Sequence, residues 1–200
     1  MSTSDAQTIE TFIEATVLKM PASRLSLHGA RHWARVERNA VFLSQQSGIS
    51  SLVPRLFAWT HDCQRRGDGP DTEHGPRAAE WLKENRRLLP AISDEDLESL
   101  IFACRCHTVE IHTDSIVAGI CWDADRLDLH RLSRRPLPRF LNSLSAIELA
   151  ESGDYSELNA VGVRDTQQHI GILHHIRDGL IRSMNQLIGR GPEKSSNYQL

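Results

Sequence analysis

The segment Leu52-Val-Pro-Arg-Leu-Phe-Ala-Trp59 is apolar on nearly every side, and it runs straight into the pair His61-Asp62. A helix with no polar face belongs at the centre of a fold rather than on its surface. Ser51 suits the N-cap, and Pro54 falls in the first turn, where its missing N–H goes unnoticed. The chain is therefore organised around a buried helix whose end delivers an imidazole and a carboxylate side by side. Neither group is buried cheaply unless it is paired, hydrogen-bonded or bound to a cation.

The remaining segments also read as helices. Ile9, Phe12, Ile13, Val17 and Met20 form one stripe, which Pro21 ends. A helix from about Ser26 to Gln46 turns Trp33, Val36, Ala40 and Leu43 inward. His28 and His32 lie one turn apart on it, and His32 leads the inner stripe. After His-Asp, the Gly, Asp and Pro residues of Arg65 to Asp71 predict an irregular loop. Asp71 or Thr72 then caps a helix with His74 in its first turn and Ala78, Ala79, Trp81 and Leu82 following. Ser93-Asp-Glu-Asp96 is an N-terminus signature. Leu97, Leu100, Ile101 and Cys104 form the next stripe, which His107 continues. A helix from Ser115 to Leu129 is apolar on most of its circumference yet carries Asp123, Asp125 and Asp128. Arg134 to Pro138 is a break, a short helix covers Leu144 to Ala150, and Gly153-Asp154 is a polar turn. A last helix from Asp165 to Ile188 aligns Leu173, Ile176, Leu180, Met184 and Leu187 as core or as a homodimer contact, and Gly189, Gly191 and Pro192 end it. No segment alternates with period two and no internal repeat is present, so the fold class is all-α.

Two hundred residues suit one domain with small appendages. The expected division is an N-terminal helix (1–24) packing on a core (25–150), then a helical extension (151–192) and a disordered polar tail (193–200). The net charge of −3 and pI near 6.4 exclude a broad basic face for nucleic acid. No stretch has the length of a transmembrane helix, and Met1-Ser-Thr-Ser-Asp lacks the features of a signal peptide, so a cytoplasmic protein that does not engage membranes is expected. The four cysteines have no paired zinc-finger spacing. Cys104 and Cys106 would face opposite sides of a helix, so reduced thiols are expected.

Ten histidines are the unusual count, and several lie where chemistry is expected. His32, His61, Asp62, His74, His107 and Asp125 each sit at a helix end or on an otherwise apolar face. Imidazole and carboxylate together suit Mn, Fe, Co, Ni or Zn better than calcium. Periodicity alone leaves His28 beside His32, and Asp123 beside Asp125, as alternatives.

The order His32-Trp-Ala-Arg-Val36, then His61-Asp62, then Ala124-Asp-Arg-Leu127 resembles the HD-domain superfamily of metal-dependent phosphohydrolases, over roughly residues 25 to 130. The resemblance implies a helical bundle of about six to eight helices and the metal ligands His32, His61, Asp62 and Asp125. It also implies a metal-activated water attacking a nucleotide or another small phosphorylated metabolite, as a phosphomonoesterase or phosphodiesterase. Two-metal members, including the HD-GYP branch, have histidines in places comparable to His74 and His107, which implies a second ion here. The Gly-Tyr-Pro of HD-GYP proper is absent, because this chain reads Cys106-His-Thr-Val-Glu-Ile-His112.

Asp62 would bridge two ions or orient the water. Arg65, Arg66 and Arg126 are near enough in sequence to hold phosphate oxygens, and Asp68 or His74 to move protons. Two rival functions share the same residues: a di-iron HD-type oxygenase, and a non-catalytic nucleotide- or metal-binding regulatory module. A plain helical interaction protein is a third. Asp123 and Asp128 read as hydrogen-bonding structural residues, and His169, His174 and His175 as surface or packing residues.

Overall fold

Every regular element in the described residues (9–14 and 20–161 of a computed structural model) is helical, as the absence of period-two alternation requires. After a helical stretch at 9–14 come α1 (Ala30–Gln46), α2 (Leu52–Thr60), α3 (His74–Glu84), α4 (Asp94–Cys106), α5 (Ile116–Leu127), α6 (Leu144–Ser152) and α7 (Ser156–Ala160). Short 3-10 turns cover Pro21–Arg24, Arg86–Leu88, Asp128–Leu132 and Pro138–Phe140. The described residues all belong to the first of two units, 1–164 and 165–200. The last helix expected at 165–188, its histidines 169, 174 and 175, and the tail at 193–200 lie outside the described residues. Among those described, no helix is long and apolar enough to cross a membrane.

The largely apolar α2 is central. Its residues Val53 to Thr60 are buried, and it packs against α1, α4 and α5, while α3 lies along α4. Polar clamps hold the layers in register. Glu37 on α1 accepts hydrogen bonds from Arg55 and from the indole N–H of Trp59 on α2, all three buried. Removing one partner of such a buried charge pair costs about 3–5 kcal/mol, because the other charge is left uncompensated. On α5, Trp122 donates its indole N–H to the Ala103 carbonyl of α4 at 3.0 Å. Ile9, Phe12 and Ile13 are buried near the start of the chain. At the other end Leu158 is fully buried and Asn159 accepts from Arg38, so close packing continues past residue 150.

Several element boundaries differ from the sequence expectation for local reasons. The first long helix begins at Ala30 rather than near Ser26, because Asp68 takes the backbone N–H groups of Ser26, Leu27 and His28. Gly29 is obligatory at that junction, since a Cβ there would stand 2.3 Å from the Leu25 carbonyl oxygen. At α3 neither Asp71 nor Thr72 is the cap. Glu73 holds that position without a side-chain bond, and Asp71 instead accepts from the Arg66 N–H and the Arg77 guanidinium. The cap at Ser93 matches expectation, accepting from the Asp96 N–H at 3.0 Å. The helix from Ser115 stops at Leu127 and tightens into a 3-10 turn at Asp128.

Candidate metal centre

The end of α2 aims His61 by occupying one of its nitrogens. His61 Nδ1 donates to the Phe57 and Ala58 carbonyls, 3.1 Å from each, and the Phe57 ring stacks on it at 4.9 Å. Its Nε2 therefore faces inward with a lone pair. His32 on α1 is aimed in the same way, with Nδ1 2.7 Å from Asp128 Oδ2. His107, at the end of α4, donates Nδ1–H to the Cys104 carbonyl at 2.6 Å. His74, the first residue of α3, has its Nδ1 against the Asp71 carbonyl. An oxygen acceptor on Nδ1 selects the tautomer that leaves Nε2 available, the arrangement that metal-ligating histidines use.

These nitrogens converge in two sets around one carboxylate. His32 and His61 Nε2 are 3.2 Å apart, and Asp125 Oδ1 lies 3.1 and 3.7 Å from them. Asp62 Oδ2 completes that set, 3.8 and 3.7 Å from the same two nitrogens. On the other side His74 and His107 Nε2 are 2.9 Å apart, with Asp62 Oδ1 2.9 and 3.8 Å from them. Bonds of 2.0–2.1 Å to a common ion place neighbouring ligand atoms about 3.0–3.4 Å apart. The four shorter spacings, 2.9–3.2 Å, are close to that and the other four, 3.7–3.8 Å, are longer; Asp62 offers one oxygen to each set. His32, His61 and Asp62 form one group that could hold a metal ion, and Asp62, His74 and His107 a second.

The electrostatics show a buried centre short of positive charge. Burial drives His61 down to about 4, despite the nearby carboxylates. Burial also pushes His32 down, but Asp125 and Asp128 outweigh it and hold its imidazolium up to about 9. Asp62 and Asp125 are both displaced toward the ionised form: burial opposes ionisation and the surrounding histidines overcome it. A proton on His32 stands where a cation would neutralise the same carboxylates. Asp125 is the most accessible of these side chains, 26% exposed against 4% or less for the others.

The structure brings together all six residues expected as ligands, and it separates the alternatives. His28 lies outside the cluster, bonded to Asp68, with its ring centroid 6.1 Å from that of His32. Asp123 points the other way. Its carboxylate accepts from the N–H groups of Asn142 and Ser143 and from both their side chains, anchoring the start of α6.

The expected substrate-handling residues divide. Arg65 is at the centre. Its Nη1 is 3.7 Å from Asp62 Oδ1 and about equidistant from the two ring nitrogens of His74, at 3.2 and 3.3 Å. The carbonyls of Gly67 and Gly69 hold its other nitrogens. Arg66 is exposed, with its backbone N–H on Asp71. Arg126 is committed elsewhere, donating to the carbonyls of Glu110, Ile111 and Phe140. Asp68, expected to move protons, is a clamp. Desolvation pushes its carboxyl up, but the Ser26 hydroxyl, the Ser26 and Leu27 N–H groups and His28 outweigh this and hold it down to about 2.

Asp128, which in the sequence reads as a structural residue, also contacts His32. The signal was its place three residues after Asp125, on the same helical face.

Neither the family models nor the curated proteins give a match to this sequence. Among solved structures, the chain is similar to a predicted HD superfamily hydrolase from an uncultured Thermotogales bacterium. The two are 18% identical with a TM-score of 0.56, over 85% of this chain and 90% of that one. At such identity the likeness concerns the fold, which is the HD-type helical arrangement.

Proposed function

We propose that this chain is a metal-dependent phosphohydrolase acting on a nucleotide or another small phosphorylated metabolite. The observation that carries the reading is Asp62, whose two carboxylate oxygens face two separate sets of imidazole nitrogens. Divalent cations held there supply Lewis acidity toward water and toward a phosphoryl oxygen. His32, His61, Asp62 and Asp125 would hold one ion, and Asp62, His74 and His107 the other. Two carboxylates and four neutral imidazoles leave such a centre net positive, which suits an anionic phosphoryl group.

The protein's own groups do the positioning. Asp128 and the Phe57, Ala58, Asp71 and Cys104 carbonyls keep each imidazole in the ligating tautomer. Arg65 adds a fixed cation beside Asp62, with donors suited to a phosphate oxygen. Phe57 and the buried surroundings of His61 exclude water from the inner side.

The test is metal content by mass spectrometry on tag-free protein, followed by a phosphate-release screen over nucleotides and phosphorylated metabolites with each metal supplied. About two equivalents of a transition metal, with phosphate released, support the reading. Metal without any phosphate release supports the regulatory module instead. The same bridged pair would serve a di-iron oxygenase, so predominance of iron with O₂-dependent product formation would replace hydrolysis as the function.

A further inference from the structure

Beside the metal centre lies a groove of about 250 Å³, to which the ligand set contributes His107. Its walls include Val109, Ile111, Leu129, Leu137 and Phe140. Val109, Ile111, Leu129 and Leu137 are 66, 45, 37 and 44% exposed, so much of the large apolar surface left open among the described residues gathers here. Concentrated exposed apolar surface marks a binding site more often than scattered residues do.

Two links tie this groove to the metals. His107 lines it while presenting Nε2 to His74 and Asp62. Leu129, another wall, follows Asp125 by one turn, and Asp125 is the most accessible of the ligands. The walls are also held in place. Arg126 ties the carbonyls of Glu110 and Ile111 to that of Phe140, and Asn142 donates to the Ile111 carbonyl while Asp123 holds Asn142. A groove fixed in this way needs little rearrangement to bind.

We infer that this groove receives the non-reacting part of the substrate, a flat and largely apolar ring of nucleobase size, while the phosphoryl group meets the metals. The inference rests on the hydrolytic reading of the metal centre. The chemistry of the walls selects the occupant. Among the described residues the one cation lining the groove, Arg126, already donates to three carbonyls, and Glu110 lines it too, so the groove is poorly suited to a second phosphate. The volume is below the roughly 300–1,000 Å³ that encloses a whole drug-sized ligand, so it takes one ring rather than a complete substrate. Substrates with a planar, largely apolar ring are thereby preferred over sugar or glycerol phosphates.

The experiment compares phenylphosphonate with methylphosphonate, two non-hydrolysable probes that share the metal-seeking group, by calorimetry on manganese-loaded protein. Phenylphosphonate is expected to bind about tenfold more tightly. Leu137→Asp should reduce that ratio to about one, whereas Leu144→Asp, exposed and outside the groove, should keep it. No preference in wild type, or a preference that survives Leu137→Asp, would overturn the inference.

If manganese binds and neither phosphonate does, the phosphoryl reading fails, and adenosine then tests the groove alone. Saturable adenosine binding that Leu137→Asp abolishes sustains the groove. No adenosine binding to wild type overturns it. A thermal melt of each variant confirms that the carboxylate was placed on a folded protein.

Discussion

Asp128 Oδ2 lies 2.7 Å from His32 Nδ1, at the point where α5 tightens into its 3-10 turn. The carboxylate is fully buried and also receives Arg35 at 2.7 Å and Arg131 at 2.8 Å. It fixes the His32 tautomer and adds negative charge behind the ligand. Loss of such a supporting acceptor weakens metal binding by about 10–100-fold. Asp128→Asn, whose amide can present N–H to Nδ1 and so favour the wrong tautomer, should show a loss of that size in a competition titration against a chromogenic chelator. Unchanged affinity would mean that His32 does not ligate.

Asp62 serves both halves of the cluster, and His107 only one. Asp62→Ala should therefore lose essentially all bound metal and any phosphate release. His107→Ala should fall from about two equivalents to about one. Mass spectrometry of proteins purified in parallel reads both. Full activity in the Asp62 variant would sink the mechanism.

Gly75 follows His74 on α3 and faces α4. A Cβ at this position would stand 2.7 Å from the Cys104 carbonyl oxygen and 3.2 Å from His107 Cε1. The Cys104 carbonyl is also the acceptor that orients His107. Gly75→Ala should push α3 from α4 and damage the His74–His107 half more than the His32–His61 half. One equivalent of metal retained in a protein that still folds is the expected result, read by metal analysis with circular dichroism.

The Asp68 clamp has a definite pH signature. Its folded-state pKa of about 2 lies below the ordinary 3.8. The stabilisation is therefore present above about pH 4 and is lost as pH falls through about 2. Asp68→Asn should melt about 2–4 °C below wild type at neutral pH. The gap should narrow steadily as the pH is lowered toward 2. A constant gap across that range would show that the carboxylate charge contributes nothing.

Asp123 is a structural anchor, so its loss should be felt in stability and not in metal content. Asp123→Ala strands the Asn142 and Ser143 N–H groups that bond it at 2.8 and 2.7 Å. A destabilisation of about 3 kcal/mol in urea unfolding is expected, with wild-type metal stoichiometry. Loss of metal in a stably folded variant would reopen the choice between Asp123 and Asp125.

What the sequence determined by itself was the helical architecture, the central place of the segment before His61 and the pool of ligand residues. The apolar spacing of Trp33, Val36, Ala40 and Leu43 admits only a helix buried on one face. Leu52 to Trp59 admits only one buried on most sides. Both patterns are local, so they are legible without knowing which helix meets which. Burial then makes an adjacent imidazole and carboxylate costly unless something holds them.

The tertiary structure alone decided how those residues act together. On a helix starting near Ser26, His28 and His32 would share a face, and no periodicity distinguishes them; the helix starts only at Ala30. Asp68, distant in sequence, draws His28 away, and Asp128, across the bundle, turns His32 inward. Helical periodicity leaves Asp123 and Asp125 as alternatives, and the difference came from Asn142 and Ser143 on another segment. Arg65 and Arg126 looked equivalent as phosphate donors until Gly67 and Gly69 held one beside Asp62 and three carbonyls took the other. Which partner a long polar side chain satisfies depends on hydrogen bonds between segments far apart in the chain, and those bonds exist only once the helices have packed.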